Sequence, residues 1–190
     1  MEGSGTLRLF VAIDAPEPVR DALAALGRPL RGIAWTPPHQ YHLTLRFLGE
    51  VDAEKRDAIE RALVAVRVES FILPVETIGS FPPNRPPRVL WAGVGRGHPR
   101  LFQLRQRVDD ALLGSGLADL DVRTFHPHFT LARCGPGHGS AEVNRWLRDH
   151  REFAGPPFRA EAFTLYQSEL AAGGAVHTAL LRVPLAAGLP

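Results

Sequence analysis

The chain has 190 residues, 45% of them hydrophobic and 22% charged, with a formal net charge of +2. That balance excludes a disordered chain, and the length suffices for one buried core without disulfide or metal staples. No apolar run reaches the roughly 18 to 20 residues of a membrane span, the polar start Met1 to Thr6 carries no secretory n-region, and the single cysteine, Cys134, excludes an internal disulfide or a CxxC module, so a reducing cytoplasm is expected.

The run Arg8 to Asp14 has strand length and stops at Ala15-Pro16. A helix is predicted there, capped by Asp14, with Val19, Leu23, Leu26 and Leu30 on one face. Thr36-Pro37-Pro38 breaks the chain, and His42 to Gly49 then alternates polar and apolar residues as a strand does. Asp52 to Val68 predicts a second helix, burying Ala58, Ile59, Ala62, Leu63 and Val66. Phe71 to Ile78 and Arg88 to Val94 read as strands around a stiff Pro82–Pro87 loop. A third helix is predicted over Arg100 to Leu113, and a strand over His128 to Cys134. A fourth helix starts at a Ser140 cap. Arg159 to Gln167 and Val176 to Val183 close the chain as strands joined at Gly173-Gly174. The pattern is α+β, with six or seven strands and four helices.

One internal repeat stands out. His42-Leu-Thr-Leu-Arg-Phe-Leu-Gly49 and His128-Phe-Thr-Leu-Ala-Arg-Cys-Gly135 match at His, Thr, Leu and Gly. Random placement of this composition yields roughly 0.04 His-x-Thr-Leu segments, so two copies are not accidental. The duplication predicts two similar lobes, each carrying one copy. On a strand, residues i and i+2 share a face. Each copy therefore offers one imidazole and one hydroxyl to a cleft, with Leu43 and Leu45, or Phe129 and Leu131, behind. Two imidazoles are what acid–base phosphoryl chemistry needs near neutral pH, and two threonine hydroxyls are suited to donating to the non-bridging phosphate oxygens.

The two His-x-Thr elements resemble those of the 2H phosphoesterase superfamily. Together with Arg8-Leu-Phe-Val-Ala-Ile-Asp14, Trp35-Thr-Pro-Pro38, His126-Pro-His-Phe-Thr-Leu-Ala-Arg133 and Leu165-Tyr-Gln-Ser-Glu169, they resemble the bacterial and archaeal RNA 2′,3′-cyclic phosphodiesterases, first described as 2′-5′ RNA ligases. The resemblance implies one bilobal domain over 1–190, with two antiparallel sheets flanked by helices around a central cleft. It implies an enzyme without metal that hydrolyses RNA or nucleotide 2′,3′-cyclic phosphate ends to 2′-phosphates, with weak reverse ligation as a side reaction; a monomer without cofactor is expected. It carries catalysis to His42 and His128, and phosphate binding to Thr44, Thr130 and Arg133. His128 is assigned as base and His42 as acid, although the symmetry of the repeat leaves the roles interchangeable. Binding of RNA ends without turnover, or action on 2′-5′ oligonucleotides, are the rival readings.

Arg133 lies five residues after His128, so ideal alternation aims it away from the cleft unless the strand bulges or ends first. Arg46 stands where the resembled enzymes often have lysine. Arg46, Phe47, Arg123, Phe125 and Tyr41 are further candidate substrate contacts, the aromatic ones, with Tyr166, by stacking on a base. His177 sits in the closing strand, its facing undecided.

Overall fold

The computed structural model describes residues 5–83, 85–95, 98–117, 124–171 and 174–187. Within them the chain forms nine strands: β1 (Thr6–Asp14), β2 (Ile33–Trp35), β3 (His42–Asp52), β4 (Phe71–Phe81), β5 (Val89–Gly93), β6 (His128–Cys134), β7 (Ala154–Ala160), β8 (Ala162–Ala171) and β9 (Gly174–Pro184). Four helices accompany them: α1 (Glu17–Ala24), α2 (Arg56–Val64), α3 (Pro99–Gly114) and α4 (Ser140–Asp149). Among the described residues no helix is long and apolar enough to cross a membrane.

The expected elements are present, with local differences. The segment expected as one strand from Arg159 to Gln167 is two, β7 and β8, and the short β2 has no counterpart in the sequence pattern. Helices α1 and α2 are shorter than their apolar periodicity, because Leu26, Leu30 and Val66 reach the core from the following turns. Asp14 does not cap α1. The N-cap is Pro16, and Asp14 instead ends β1 and receives side-chain hydrogen bonds from β8. Ser140 is the first residue of α4 rather than its cap, which is Gly139. Gly173 of the predicted turn lies outside the described residues.

The strands run in the order β7-β4-β5-β6-β3-β1-β8-β9, with β2 also paired to β6, and all these pairings are antiparallel. The two expected sheets are thus two halves of one hydrogen-bonded path. They meet where β3 and β6 share the single register pair Leu43↔Phe129. Behind this seam lies the core. Leu43, Leu45, Phe129 and Leu131 are almost wholly buried, as are Leu101, Leu104, Val108 and Leu112 of α3. Burying each such side chain contributes on the order of 1.5–3 kcal/mol, so packing against α3 supports the seam where the strand pairing is a single register pair.

Candidate active site

The seam builds the site. In an antiparallel pair, residues equidistant from a register pair face each other. Extending Leu43↔Phe129 by one residue sets His42 across from Thr130 and Thr44 across from His128. The burial pattern agrees: His42, Thr44, His128 and Thr130 are half-buried on the front, while Leu43 and Phe129 are buried behind. Each histidine therefore sits opposite the other strand's threonine, about a local two-fold axis through the seam.

The same local rule orients both rings. His42 Nδ1 donates to the Gln40 carbonyl at 2.7 Å, and His128 Nδ1 donates to the His126 carbonyl at 2.6 Å. A carbonyl only accepts, so Nδ1 carries the proton and Nε2 is left as the reactive nitrogen of the neutral ring. Burial pushes His42 down to about 4, opposed by the Gln40 carbonyl and helped by the neighbouring His177; Asp14 raises it and His128 lowers it further. Burial also lowers His128, against the pull of the His126 carbonyl.

Each motif strand is bulged just after its threonine. On β6 the register with β5 slips between Trp91↔Thr130 and Leu90↔Ala132, leaving Leu131 as the extra residue. On β3 the register with β1 slips between Ala12↔Thr44 and Val11↔Arg46, leaving Leu45 extra. A bulge resets the alternation. Leu131 and Ala132 are consequently both buried, and Arg133 emerges exposed on the face of His128 and Thr130. It has no ion pair or hydrogen-bond partner among the described residues, so its guanidinium is open to an anion. The equivalent residue on β3 is Phe47, 54% exposed. Its ring lies 6.0 Å from that of Phe10, which lies 5.0 Å from His42.

The bulge also removes Arg46 from the candidate contacts. Its side chain is buried and forms an ion pair with Asp109 on α3, with Nε at 2.6 Å from the carboxylate. Arg46 therefore ties the motif strand to the helix behind it. Tyr41 is likewise a core residue, 4% exposed, because it ends the 3₁₀ turn Pro38–Gln40 with its ring turned inward. Phe125 packs edge-on against Phe102 and beneath the guanidinium of Arg105, 4.9 Å from its ring centroid, which engages it with α3. Arg123 lies outside the described residues.

Of the residues around the two rings, the sequence names Tyr166 as a stacking candidate and leaves His177 undecided, while Phe10, Asp14, Phe81 and Trp91 carry no sequence signal of a site. Around His42 stand Phe10, Tyr166 and His177, the His177 ring edge-on at 5.4 Å. Asp14, the register partner of His42, accepts from the Tyr166 hydroxyl at 2.6 Å and from Thr164 Oγ1 at 3.0 Å. Around His128 stand Phe81, with ring centroids 5.1 Å apart, and Trp91 at 6.3 Å. Trp91 lies flat over Gly79, where an added Cβ would come within 2.2 Å of the indole, so only glycine admits it. Strand β1 reads as an unbroken apolar run from Leu9 to Ile13, and such a run hides which alternate residues face a site.

The description "LigT like Phosphoesterase" belongs to the family whose profile matches this chain twice, over residues 13–91 and 94–177. Each match contains one His-x-Thr strand. The RNA 2′,3′-cyclic phosphodiesterase of Thermus thermophilus is 36% identical over 189 residues, covering 94% of this chain and 90% of that protein. The protein of the same description from Aeropyrum pernix is 31% identical over 168 residues, covering 88% and 93%. Among solved structures, that of Escherichia coli LigT in apo form superposes with a TM-score of 0.77 at 30% identity, covering 96% of this chain and 99% of that one. LigT has also been solved complexed with 3′-AMP.

Proposed function

The chain belongs to the LigT-like phosphoesterases, and from that premise we propose that it is an RNA 2′,3′-cyclic phosphodiesterase, opening the cyclic phosphate to a 2′-phosphate by two-histidine acid–base catalysis. One observation carries this reading. Two imidazoles face one small volume, each with Nδ1 held by a carbonyl and Nε2 free, and each across from a threonine hydroxyl.

The cyclic phosphate lies between the two strands. Thr44 and Thr130 donate to its non-bridging oxygens, and Arg133 balances its charge. Water attacks phosphorus in line with O3′. His128 Nε2 takes the water proton as the P–O bond forms. His42 Nε2 gives its proton to O3′ as the P–O3′ bond breaks, leaving a 3′-hydroxyl and a 2′-phosphate. In the free site burial keeps His42 neutral at pH 7. The bound phosphate supplies the negative charge that favours its imidazolium, so substrate binding loads the acid. Microscopic reversibility permits 2′-5′ ligation, but water at about 55 M outcompetes a scarce RNA hydroxyl.

Incubation with 2′,3′-cyclic AMP in excess EDTA, with separation of 2′- from 3′-phosphate products, tests the reading. Turnover to 2′-AMP supports it. Tight binding without turnover, or activity that vanishes in EDTA and returns with zinc or manganese, overturns it.

A further inference from the structure

The two histidines share the same carbonyl hydrogen bond, but the two carbonyls are held differently. Gln40, which accepts from His42, also donates its side-chain Nε2 to the Ala175 carbonyl of β9 at 3.0 Å, across 135 residues of sequence. Two residues further along β9, on the same side of the strand, the His177 ring meets that of His42 edge-on at 5.4 Å and 89°. The Phe10 ring touches both, at 5.0 Å from each. His126, whose carbonyl serves His128, has no such side-chain hydrogen bond among the described residues; its ring packs against Phe81 at 5.9 Å.

We propose that the β8–β9 hairpin is a positioning element for His42, acting through the Gln40–Ala175 tether and the flanking ring of His177; the proposal rests on the two-histidine reading above. The physical need is plain. Gln40 ends a 3₁₀ turn of three residues, Pro38–Gln40, a conformation with poor hydrogen-bond geometry and little stability of its own. The next residue is anchored by its buried ring and by the Ala15 N–H on the Tyr41 carbonyl, and among the described residues Gln40 itself, whose carbonyl sets the tautomer and direction of His42, is held from outside the turn through its own side chain. The amide of Gln40 holds the start of β9, and β9 in turn sets His177 edge-on against the ring that Gln40 aims. One residue thus couples the main-chain orientation of His42 to the wall behind it. The charged and titratable groups facing His42 come from four strands: Asp14 on β1, Tyr166 on β8, His177 on β9 and His128 on β6. None of these substitutes for the tether, because none hydrogen-bonds to Gln40. Gln40 and His177 are positioning residues in this scheme, and neither donates a proton to substrate.

The test compares wild type with Gln40→Ala, with Gln40→Glu, which keeps the length but loses the donor, with His177→Phe, which keeps the ring, and with His177→Ala, which removes it. Each is measured by steady-state kinetics on 2′,3′-cyclic AMP and by nitrogen-resolved NMR of the imidazoles in the ligand-free protein at pH 7, where His42 is neutral. Both Gln40 variants should lower kcat about tenfold with KM changed less than about twofold, since misplacement of a proton donor weakens the chemical step and leaves phosphate binding alone. The Nδ1 and Nε2 signals of His42 should move toward each other as its tautomer loses definition, while those of His128 stay in place and report an intact fold. His177→Phe should retain most of the activity, and His177→Ala should lose it. Wild-type kcat in Gln40→Ala, or a fallen kcat with unmoved His42 signals, overturns the proposal. Absence of turnover in the wild type would instead remove the assigned activity, and the His42 signals would still decide whether the tether positions the ring.

Discussion

The β3 half and the β6 half of the site present the same histidine–threonine pair in different surroundings. The register about the seam makes the comparison residue by residue. Beside His42 on β1 stands Asp14; the equivalent partner of His128 on β5 is Gly93. Beside Thr44 stands Ala12; beside Thr130 stands Trp91. After the bulge, Phe47 emerges on one side and Arg133 on the other. The β3 half therefore surrounds its imidazole with a carboxylate and a third imidazole. The β6 half gives its own aromatic walls and a guanidinium unpaired among the described residues. Duplication supplies two imidazoles, and the divergence of their neighbours lets the two differ in proton affinity and sets a carboxylate on one side of the seam and a guanidinium on the other.

The largest effects should come from removing either imidazole. His42→Ala and His128→Ala should each reduce kcat by about 10² to 10⁴, and the double variant should lose much less than the product of the two, because both act in one step. A substrate with a good leaving group separates the halves. It needs no protonation, so His42→Ala should recover most activity on it and His128→Ala should not. The opposite outcome exchanges acid and base.

Next come the hydroxyls. Thr44→Ala and Thr130→Ala should each cost about ten- to a thousandfold in kcat. Equal losses would mean that the two-fold relation extends to the phosphate. A Thr44→Val enzyme as fast as wild type would show that this hydroxyl does not face the phosphate.

The pH dependence should be shifted rather than abolished. His42 is lowered to about 4 and His128 is lowered as well, so the state with one neutral and one protonated ring is populated below the usual histidine range. The bell in kcat/KM should centre on the acid side of pH 6.5 and fall as pH rises, because the proton on the acid is lost first. A bell centred above pH 7 would mean that burial does not govern these rings in solution. The same shift links to stability. The unfolded chain binds protons more readily than buried His42, so stability should decline as pH drops from about 6.5 toward 4, and urea unfolding of His42→Ala should show a shallower decline.

The smallest effect should come from Asp14→Asn. Asp14 favours a charged His42, so the variant should lower the His42 midpoint in an NMR titration, leave that of His128 unchanged, and reduce kcat modestly. A shift of equal size at both histidines would mean that Asp14 acts on the whole cleft and not on its own half.

The four motif residues, His42, Thr44, His128 and Thr130, were legible because the pattern that carries them is local. Strand alternation puts i and i+2 on one face whatever the rest of the chain does, and a duplicated segment announces its own importance. The α+β class, all four helices and most strands followed from the same short-range periodicities. What the sequence by itself did not determine is everything set by pairing between distant strands. The bulges at Leu45 and Leu131 exist only relative to β1 and β5, and they bring Arg133 to the front, where strict alternation aims it away. They also leave Arg46 at the back with Asp109, 63 residues away, although its place in the motif suggested a substrate contact. Asp14, Gln40, Tyr166 and His177 join His42 through contacts spanning up to 152 residues, and no periodicity in the chain encodes those contacts. A side chain's direction is set by its own backbone, but its neighbours are set by register, and register is decided only when the whole sheet packs against its core.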